Sequence, residues 1–292
     1  ALDMAASSEN GDHGAQASTR RQLRFLCAAL GLDATSLVER LPQPEVIHFC
    51  GHMTAPAGVP ARFPAEQQAE TAARIRELLQ KNRVGFAHGS LASGADILIA
   101  ELVLELGAEL HLVLPFGIDE FIAISVEPAG REWVSRFRHC LGAATSVTIA
   151  SDSAYAGDDV LFAYAGRIAM GQAMNRAASI DTRVWQLAVF DGDEAHDKAG
   201  TAHDIAQWKL AGGRTVVVPV RSTRTTRTVA PFAALSSRRV IRSVLFGDFK
   251  GFSRLHDEHI KLFLATVMQP VAEVLDRYGE HVIVRNTWGD GL

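Results

Sequence analysis

With 292 residues, 48% of them hydrophobic, and a formal net charge of -4, the sequence has the composition of an ordinary globular protein with room for about two domains. Its 29 basic residues are balanced by 33 acidic ones, so there is no global basic excess and nucleic acid is not the expected partner. No apolar run reaches the roughly 18 to 20 residues needed to span a bilayer, and no charged and then apolar leader opens the chain, so no membrane contact is expected. The cysteines, Cys27, Cys50 and Cys140, are scattered without metal-ligand spacing. An odd few in so long a chain point to a reducing compartment and a cytoplasmic location. The chain opens on Ala1 rather than methionine and closes inside a motif, which reads as an internal piece of a larger protein.

Residues 1–44 form a helical segment. Residues 5–18 are small and polar and read as loop; Ser18 or Thr19 then caps a short helix with Leu23, Leu26, Cys27 and Leu30 on one face and Gly31 at its end. A second short helix, Ser36 to Leu41, is stopped by Pro42 and Pro44. Two readings stand: the tail of a helical-repeat array, or a lead-in that packs on the next domain.

Residues 45–220 alternate between β-rich runs and helical ones. Strands are expected at Val46 to Phe49, Val84 to Ala87, Leu110 to Leu114, Ser146 to Ile149, Val184 to Phe190 and Thr215 to Val220. Helices are expected at Glu66 to Asn82 and at Ala95 to Leu106, the latter apolar on nearly all sides and hence buried. This alternation implies an α/β fold, a doubly wound parallel sheet with helices on both faces and ligands bound outside the carboxyl ends of the strands.

The loops at those ends carry the candidate ligand residues. Gly51 and His52 follow the first strand; Gly89, Ser90, Ser93 and Gly94 follow the second; Gly200 and Thr201 follow the fifth. Glycines there let backbone amides approach an anion, and hydroxyls sit beside helix N-termini, so the loops read as phosphate cradles or as ordinary tight turns and helix caps. His48, His52, His88 and His111 lack a repeated ligand spacing and are expected to be surface or satisfied core histidines, with His52 and His88 the two placed to face a ligand.

The stretch Gly89-Ser90-Leu91-Ala92-Ser93-Gly94-Ala95-Asp96 resembles the first Gly-rich turn of the SLOG superfamily, the Rossmann-like nucleotide-binding fold of the DprA and LOG families. Gly200-Thr201-Ala202-His203-Asp204 is similar to the G-T-x-x-E element of the LOG enzymes, with Asp204 in place of Glu and Lys198-Ala199 in place of the doubled glycine. That departure speaks against the LOG reaction, cleavage of a nucleotide's N-glycosidic bond. The resemblance implies instead a sensor of a nucleotide or nucleotide-derived ligand.

Residues 221–238 are rich in Arg, Ser and Thr, lack acidic residues and read as an exposed linker. Beyond them, residues 239–292 hold an apolar run, Val240 to Phe246, a loop, Gly247 to Ser253, a long amphipathic helix and a returning strand, Val282 to Trp288. The helix carries Ile260, Phe263, Leu264, Val267, Met268, Val271, Val274 and Leu275 on one face. Asp248 and Asp290 follow the two strands, where a βαβ unit brings them side by side and lets them share divalent cations. The loop Phe249, Lys250, Gly251, Phe252 and Ser253 opens the helix and offers it to polyphosphate.

Phe246 to Ser253 resembles the F-x-D-hydrophobic-x-G-F-S/T signature of class III adenylate and guanylate cyclases, and Thr287-Trp288-Gly289-Asp290 resembles their T-I-G-D turn. The resemblance implies two Mg²⁺ or Mn²⁺ ions on Asp248 and Asp290, conversion of ATP or GTP to a cyclic nucleotide and pyrophosphate, a ferredoxin-like cyclase domain and a homodimer. One ion would activate the ribose 3′-hydroxyl and the other would steady the pyrophosphate. Asn286 stands where the family selects the base with Lys or Glu, which leaves ATP against GTP open. The chain covers about a third of such a domain, so by itself it is expected to be inactive. The rival readings are a degenerate cyclase-like segment beside a ligand-binding module, and a LOG-like hydrolase.

Overall fold

The computed structural model describes residues 13–56, 58–155, 157, 159–193, 199–223 and 257–279. The chain divides into two units, Ala1–Val240 and Ile241–Leu292. The expected cyclase strands, with Asp248, Asp290, Asn286 and the 249–253 loop, lie outside the described residues, as does most of the linker.

In the first unit, β1 (Glu45–Gly51), β2 (Val84–Gly89), β3 (Glu109–Leu114), β4 (Ser146–Ile149), β5 (Val184–Phe190) and β6 (Thr215–Pro219) form one sheet. Its order is β4-β3-β2-β1-β5-β6 and every pairing is parallel. The expected doubly wound α/β architecture is therefore present. Helices α1 (His13–Ala29) and α2 (Thr35–Glu39) precede the sheet; α3 (Gln68–Lys81), α4 (Ala95–Glu105), α5 (Ile118–Ser125), α6 (Arg131–Ala143), α7 (Val160–Ile180) and α8 (Thr201–Leu210) connect its strands. Helices α3, α4 and α6 pack together on one face, and α1, α7 and α8 cover the other.

The central strand β1 is buried along nearly its whole length, as befits a strand covered on both faces. Val46, Ile47 and Phe49 are each at most 1% exposed, and each stabilises the fold by about 1.5–3 kcal/mol through burial. Helix α4, Ala95–Glu105, is apolar on nearly all sides, and it is wedged between the sheet and its neighbours α3 and α6. Helix α7 is rich in Ala and Gly, small enough to let its backbone lie close over β1, β2 and β3.

A row of polar residues crosses all six strands in register: Ser146, His111, His88, His48, Gln186 and Thr215. Buried polar groups need partners. Thr215 Oγ1 donates to Gln186 Oε1 at 2.8 Å, the Gln186 amide donates to His48 Nδ1 at 3.2 Å, and His111 Nδ1 lies 2.8 Å from Ser146 Oγ. His88 stacks on His111 at 4.5 Å. Burial, together with the neighbouring histidines, pushes His48 down to about 3 and His88 to about 4, so both rings are neutral.

The N-terminal helix begins earlier than the composition suggests: residues 13–18 are helical rather than loop. Gln43 ties down His13, donating to its carbonyl at 2.9 Å while its Oε1 lies 2.9 Å from His13 Nδ1. Helix α1 lies on α7. Arg21 donates to the carbonyls of Ala178 and Ser179 at the end of α7, and Arg20 and Arg24 both reach Asp181, which closes that helix at φ +56°. Burial raises the Asp181 pKa, yet the Arg24 and Arg20 hydrogen bonds outweigh it and hold the carboxyl below its usual range. Asp181→Asn keeps a residue that tolerates the left-handed conformation and removes only the charge. It is expected to cost about 1 kcal/mol at neutral pH, measured by urea unfolding, with the cost vanishing as pH falls through the carboxylate range. An equal loss at low pH would assign the effect to packing instead.

The first three residues of the expected linker are tied down: Thr223 N donates to the Ala61 carbonyl at 2.9 Å, and Arg221 N donates to Gln67 Oε1 at 2.8 Å. Cys27, Cys50 and Cys140 are free and buried. Among the described residues no helix is long and apolar enough to cross a membrane.

In the second unit the described residues form the expected helix, as α9 (Asp257–Phe263) and α10 (Gln269–Arg277) joined by a π-helical stretch, Leu264–Met268. The periodicity predicts an uninterrupted α-helix. Pro270 has no N–H for the carbonyl one turn back, and Thr266 Oγ1 donates to the Leu262 carbonyl at 2.7 Å, so the winding loosens just ahead of the proline. Ile260, Phe263, Val267, Met268, Val271 and Leu275 are the half-buried positions described on this helix; Leu264 and Val274, also expected in the stripe, are exposed.

Candidate ligand crevice

Strands β2, β3 and β4 lie to one side of β1 and strands β5 and β6 to the other. The direction of winding therefore reverses between β1 and β5, and a crevice opens there at the carboxyl ends of the strands. Its volume is about 400 Å³, within the range of small-molecule sites.

The β1 exit and the Gly-rich turn before α4 are built against each other. A Cβ on Gly51 would lie 2.4 Å from Ala95 Cβ, so only glycine admits this approach. Thr54 N donates to the Ser93 carbonyl at 3.2 Å and Ala95 N donates to the His52 carbonyl at 3.1 Å. Ser93 N is tied in turn to the Ser125 carbonyl at the end of α5, at 2.9 Å. The turn is thus held from two sides, and it delivers Asp96 into the first turn of α4.

Asp96 is 7% exposed and lines the crevice. Its Oδ2 accepts from Ala92 N at 3.2 Å, while Oδ1 is buried without a hydrogen-bond partner. From the other side Asp204, in the first turn of α8, retains partial exposure and also faces the crevice. It is seated over Gly166 of α7, where a Cβ would lie 2.8 Å from Asp204 Oδ1. Burial pushes Asp96 up to about 7, against the opposing pull of the Ala92 and Gly51 N–H groups; burial and then the charge of Asp96 push Asp204 up to about 8. Burial, followed by the fields of Asp204 and Asp96, likewise raises the Cys50 thiol well above its usual range, so this thiol is not a thiolate nucleophile at neutral pH. Two carboxyls in one field behave as a coupled pair that shares protons near neutrality.

The remaining walls differ in character. On the side of β3, α5 and α7 the crevice is lined by Val113, Pro115, Phe121, Ile124, Tyr155 and Phe162. Tyr155 and Phe162 meet edge-on at 5.7 Å. The β1, α4 and α8 side contributes Ser90, Asp96, Thr201 and Asp204.

Of the loop residues singled out by the sequence, Gly51, Ser90, Gly200 and Thr201 line the crevice. Gly94 and Ser93 shape the turn behind it, and Gly89 packs on Phe49, where a Cβ would lie 2.7 Å from that ring. His48, His52 and His88 are buried, one of the two alternatives expected of them, but the two expected to face a ligand are not the ones at the crevice. His52 is buried and pairs with Asp191 at 2.9 Å, and His88 lies within the sheet; among the described residues His48 is the histidine that lines the crevice. Burial raises the Asp191 carboxyl, but the Asp193 N–H, His52 and Arg62 outweigh it and hold it below its usual range, so the pair is a clamp between the ends of β1 and β5.

The aromatic wall and the pairing of Asp96 with Asp204 escaped the sequence reading, although both aspartates stand within the Gly-rich elements it quoted. Among the described residues no group of three or more His, Cys, Asp or Glu is placed to hold a metal ion. No protein-family model matches the chain, and no curated protein sequence gives a significant match to it.

Proposed function

We propose that this chain belongs to a signalling protein in which the Ala1–Val240 unit senses a nucleotide-derived ligand in the β1/β5 crevice. The observation that carries the reading is the crevice itself. It stands at the switch point of a parallel sheet, is faced by the first turns of α4 and α8, and holds a buried carboxylate oxygen, Asp96 Oδ1, without a hydrogen-bond partner. An unsatisfied buried acceptor costs about 1–3 kcal/mol, which a ligand donor returns on binding. A sensor fits better than a hydrolase of the LOG kind, because the Gly-Thr element carries Asp204 and lacks the doubled glycine.

The output belongs to the second unit. Its motifs support a class III nucleotidyl cyclase segment with Asp248 and Asp290 as ligands of two Mg²⁺ or Mn²⁺ ions, acting on ATP or GTP in a homodimer, and the reading is supported by the helix that the sequence carries between them.

Two measurements test the halves separately. A thermal-shift screen of the chain against nucleosides, mononucleotides and ADP-ribose is expected to raise the Tm of the first unit by several degrees with at least one of them at saturation; no shift with any compound removes the sensor. Full-length protein with Mg²⁺ or Mn²⁺ and ATP or GTP is expected to make cyclic nucleotide, and Asp248→Ala and Asp290→Ala each to abolish it. Product that persists in either variant removes the two-metal assignment, and no product from the unaltered protein removes the cyclase.

A further inference from the structure

The charge of the crevice narrows the class of ligand. Three aspartates line it, Asp96, Asp159 and Asp204, and among its described lining residues there is no lysine or arginine. A phosphate monoester carries about two negative charges at neutral pH. Here it would be desolvated with no cation from those walls to pair with, beside carboxyls that hold their own protons to near neutrality, so its charges would stay uncompensated.

The two helix N-termini that ordinarily offset such a charge are already engaged. The protein's own carboxyls, Asp96 and Asp204, occupy the first turns of α4 and α8, and Asp96 Oδ2 takes the Ala92 N–H of the Gly-rich turn. The position where a phosphate would sit in a Gly-rich cradle is therefore filled by a side chain. Asp96 Oδ1 is buried without a hydrogen-bond partner and can accept from a donor on the ligand. Hydroxyl and amino groups donate, and a phosphate dianion only accepts.

The opposite wall completes the specification. Phe121, Tyr155 and Phe162 present aromatic surface across from the carboxyls, in a volume of about 400 Å³. A planar ring bearing hydroxyl and amino donors on one side matches both walls.

We propose that the crevice selects a nucleoside and discriminates against its phosphorylated forms, with sugar hydroxyls or a base amino group donating to the Asp96–Asp204 carboxyls and the ring lying on the aromatic wall. The inference rests on the nucleotide-derived reading of this site and fixes which part of such a molecule is recognised.

Isothermal titration of the unaltered chain with adenosine, guanosine, AMP, GMP and ADP-ribose, each with and without Mg²⁺, tests it. At least one nucleoside is expected to bind about tenfold or more tighter than its own monophosphate, a preference of about 1.4 kcal/mol. Asp96→Asn and Asp204→Asn are each expected to weaken nucleoside binding about tenfold and to narrow the gap to the monophosphate. A monophosphate or ADP-ribose that binds as tightly as the nucleosides overturns the inference and leaves the sensor reading intact. Tight phosphate binding only with Mg²⁺ also overturns it and makes the aspartates a metal carrier; no binding by any probe overturns both. The comparison of ligands on the unaltered chain stands even where a carboxyl variant fails to fold.

Discussion

Gly94→Ala is expected to lower stability by about 3 kcal/mol or more, a Tm decrease of roughly 6–12 °C for a domain of this size. Two costs combine. Gly94 has φ +104° and ψ −123°, a conformation that side chains rarely adopt and that costs about 1–3 kcal/mol. Its Cβ would also lie 2.5 Å from Thr54 N and 2.8 Å from the His52 carbonyl oxygen. These are main-chain atoms held in the Met53–Gly94 bridge, so they cannot swing aside as a flexible side chain would. Gly107 provides the control: it has φ +71°, but nothing lies within 4 Å of an added Cβ. Gly107→Ala should cost only about 1 kcal/mol. Equal losses for the two variants would sink the steric account. Because the same turn delivers Asp96, Gly94→Ala should also impair any ligand binding in the crevice.

The second large effect is a reversal of the usual acid dependence at Asp96 and Asp204. Their folded pKa values, about 7 and about 8, lie above the ordinary value of 3.8. Between about pH 4 and pH 8 the folded state therefore holds protons that the unfolded chain has released. Stability from this pair is greatest at the acid end of the window and is lost as pH rises. A tenfold change in proton affinity is worth about 1.4 kcal/mol, and both carboxyls bind protons far more tightly in the fold than in the unfolded chain, so the pair loses several kcal/mol across this window. The double variant Asp96→Asn, Asp204→Asn cannot ionise. Its stability relative to the unaltered chain should rise by several kcal/mol from pH 4 to pH 8, read from urea unfolding at each pH. A difference that stays constant with pH would show that the carboxyls are ionised throughout. Asp181 has the opposite sign: its pKa lies below the ordinary value, so its contribution is lost as pH falls.

Much of the fold was legible because its signals are local. Ser146–Ile149 and Val184–Phe190 read as strands to the residue, being β-branched or apolar runs between turn signals. Helix α4 read as buried because no polar face interrupts it. Local signals failed where a distant residue decides the outcome. Residues 13–18 look like loop, and they are helical where Gln43 bonds to His13 and the His13 ring meets Phe86 edge-on at 5.7 Å. The polar row across the sheet was invisible for the same reason, since each strand shows only one or two polar residues and only the register joins them.

The candidate site divides along the same line. Glycines at strand ends point to the crevice loops because close backbone approach requires them wherever the partner lies, and Gly51 against Ala95 is one such approach. That His52 is a paired core histidine rather than one turned to the crevice depends on Asp191, which comes from the end of β5 and meets β1 only in the folded sheet. Periodicity and turn chemistry act over a few residues, and they suffice to specify a parallel α/β unit, its strands, its Gly-rich loops and the helix before the second acidic motif. Folding alone places β1 between β2 and β5, and so brings Asp96 and Asp204, far apart in the chain, into one field opposite an aromatic wall. Strand order is set by how helices on both faces bury apolar surface together, and no local run of residues encodes it.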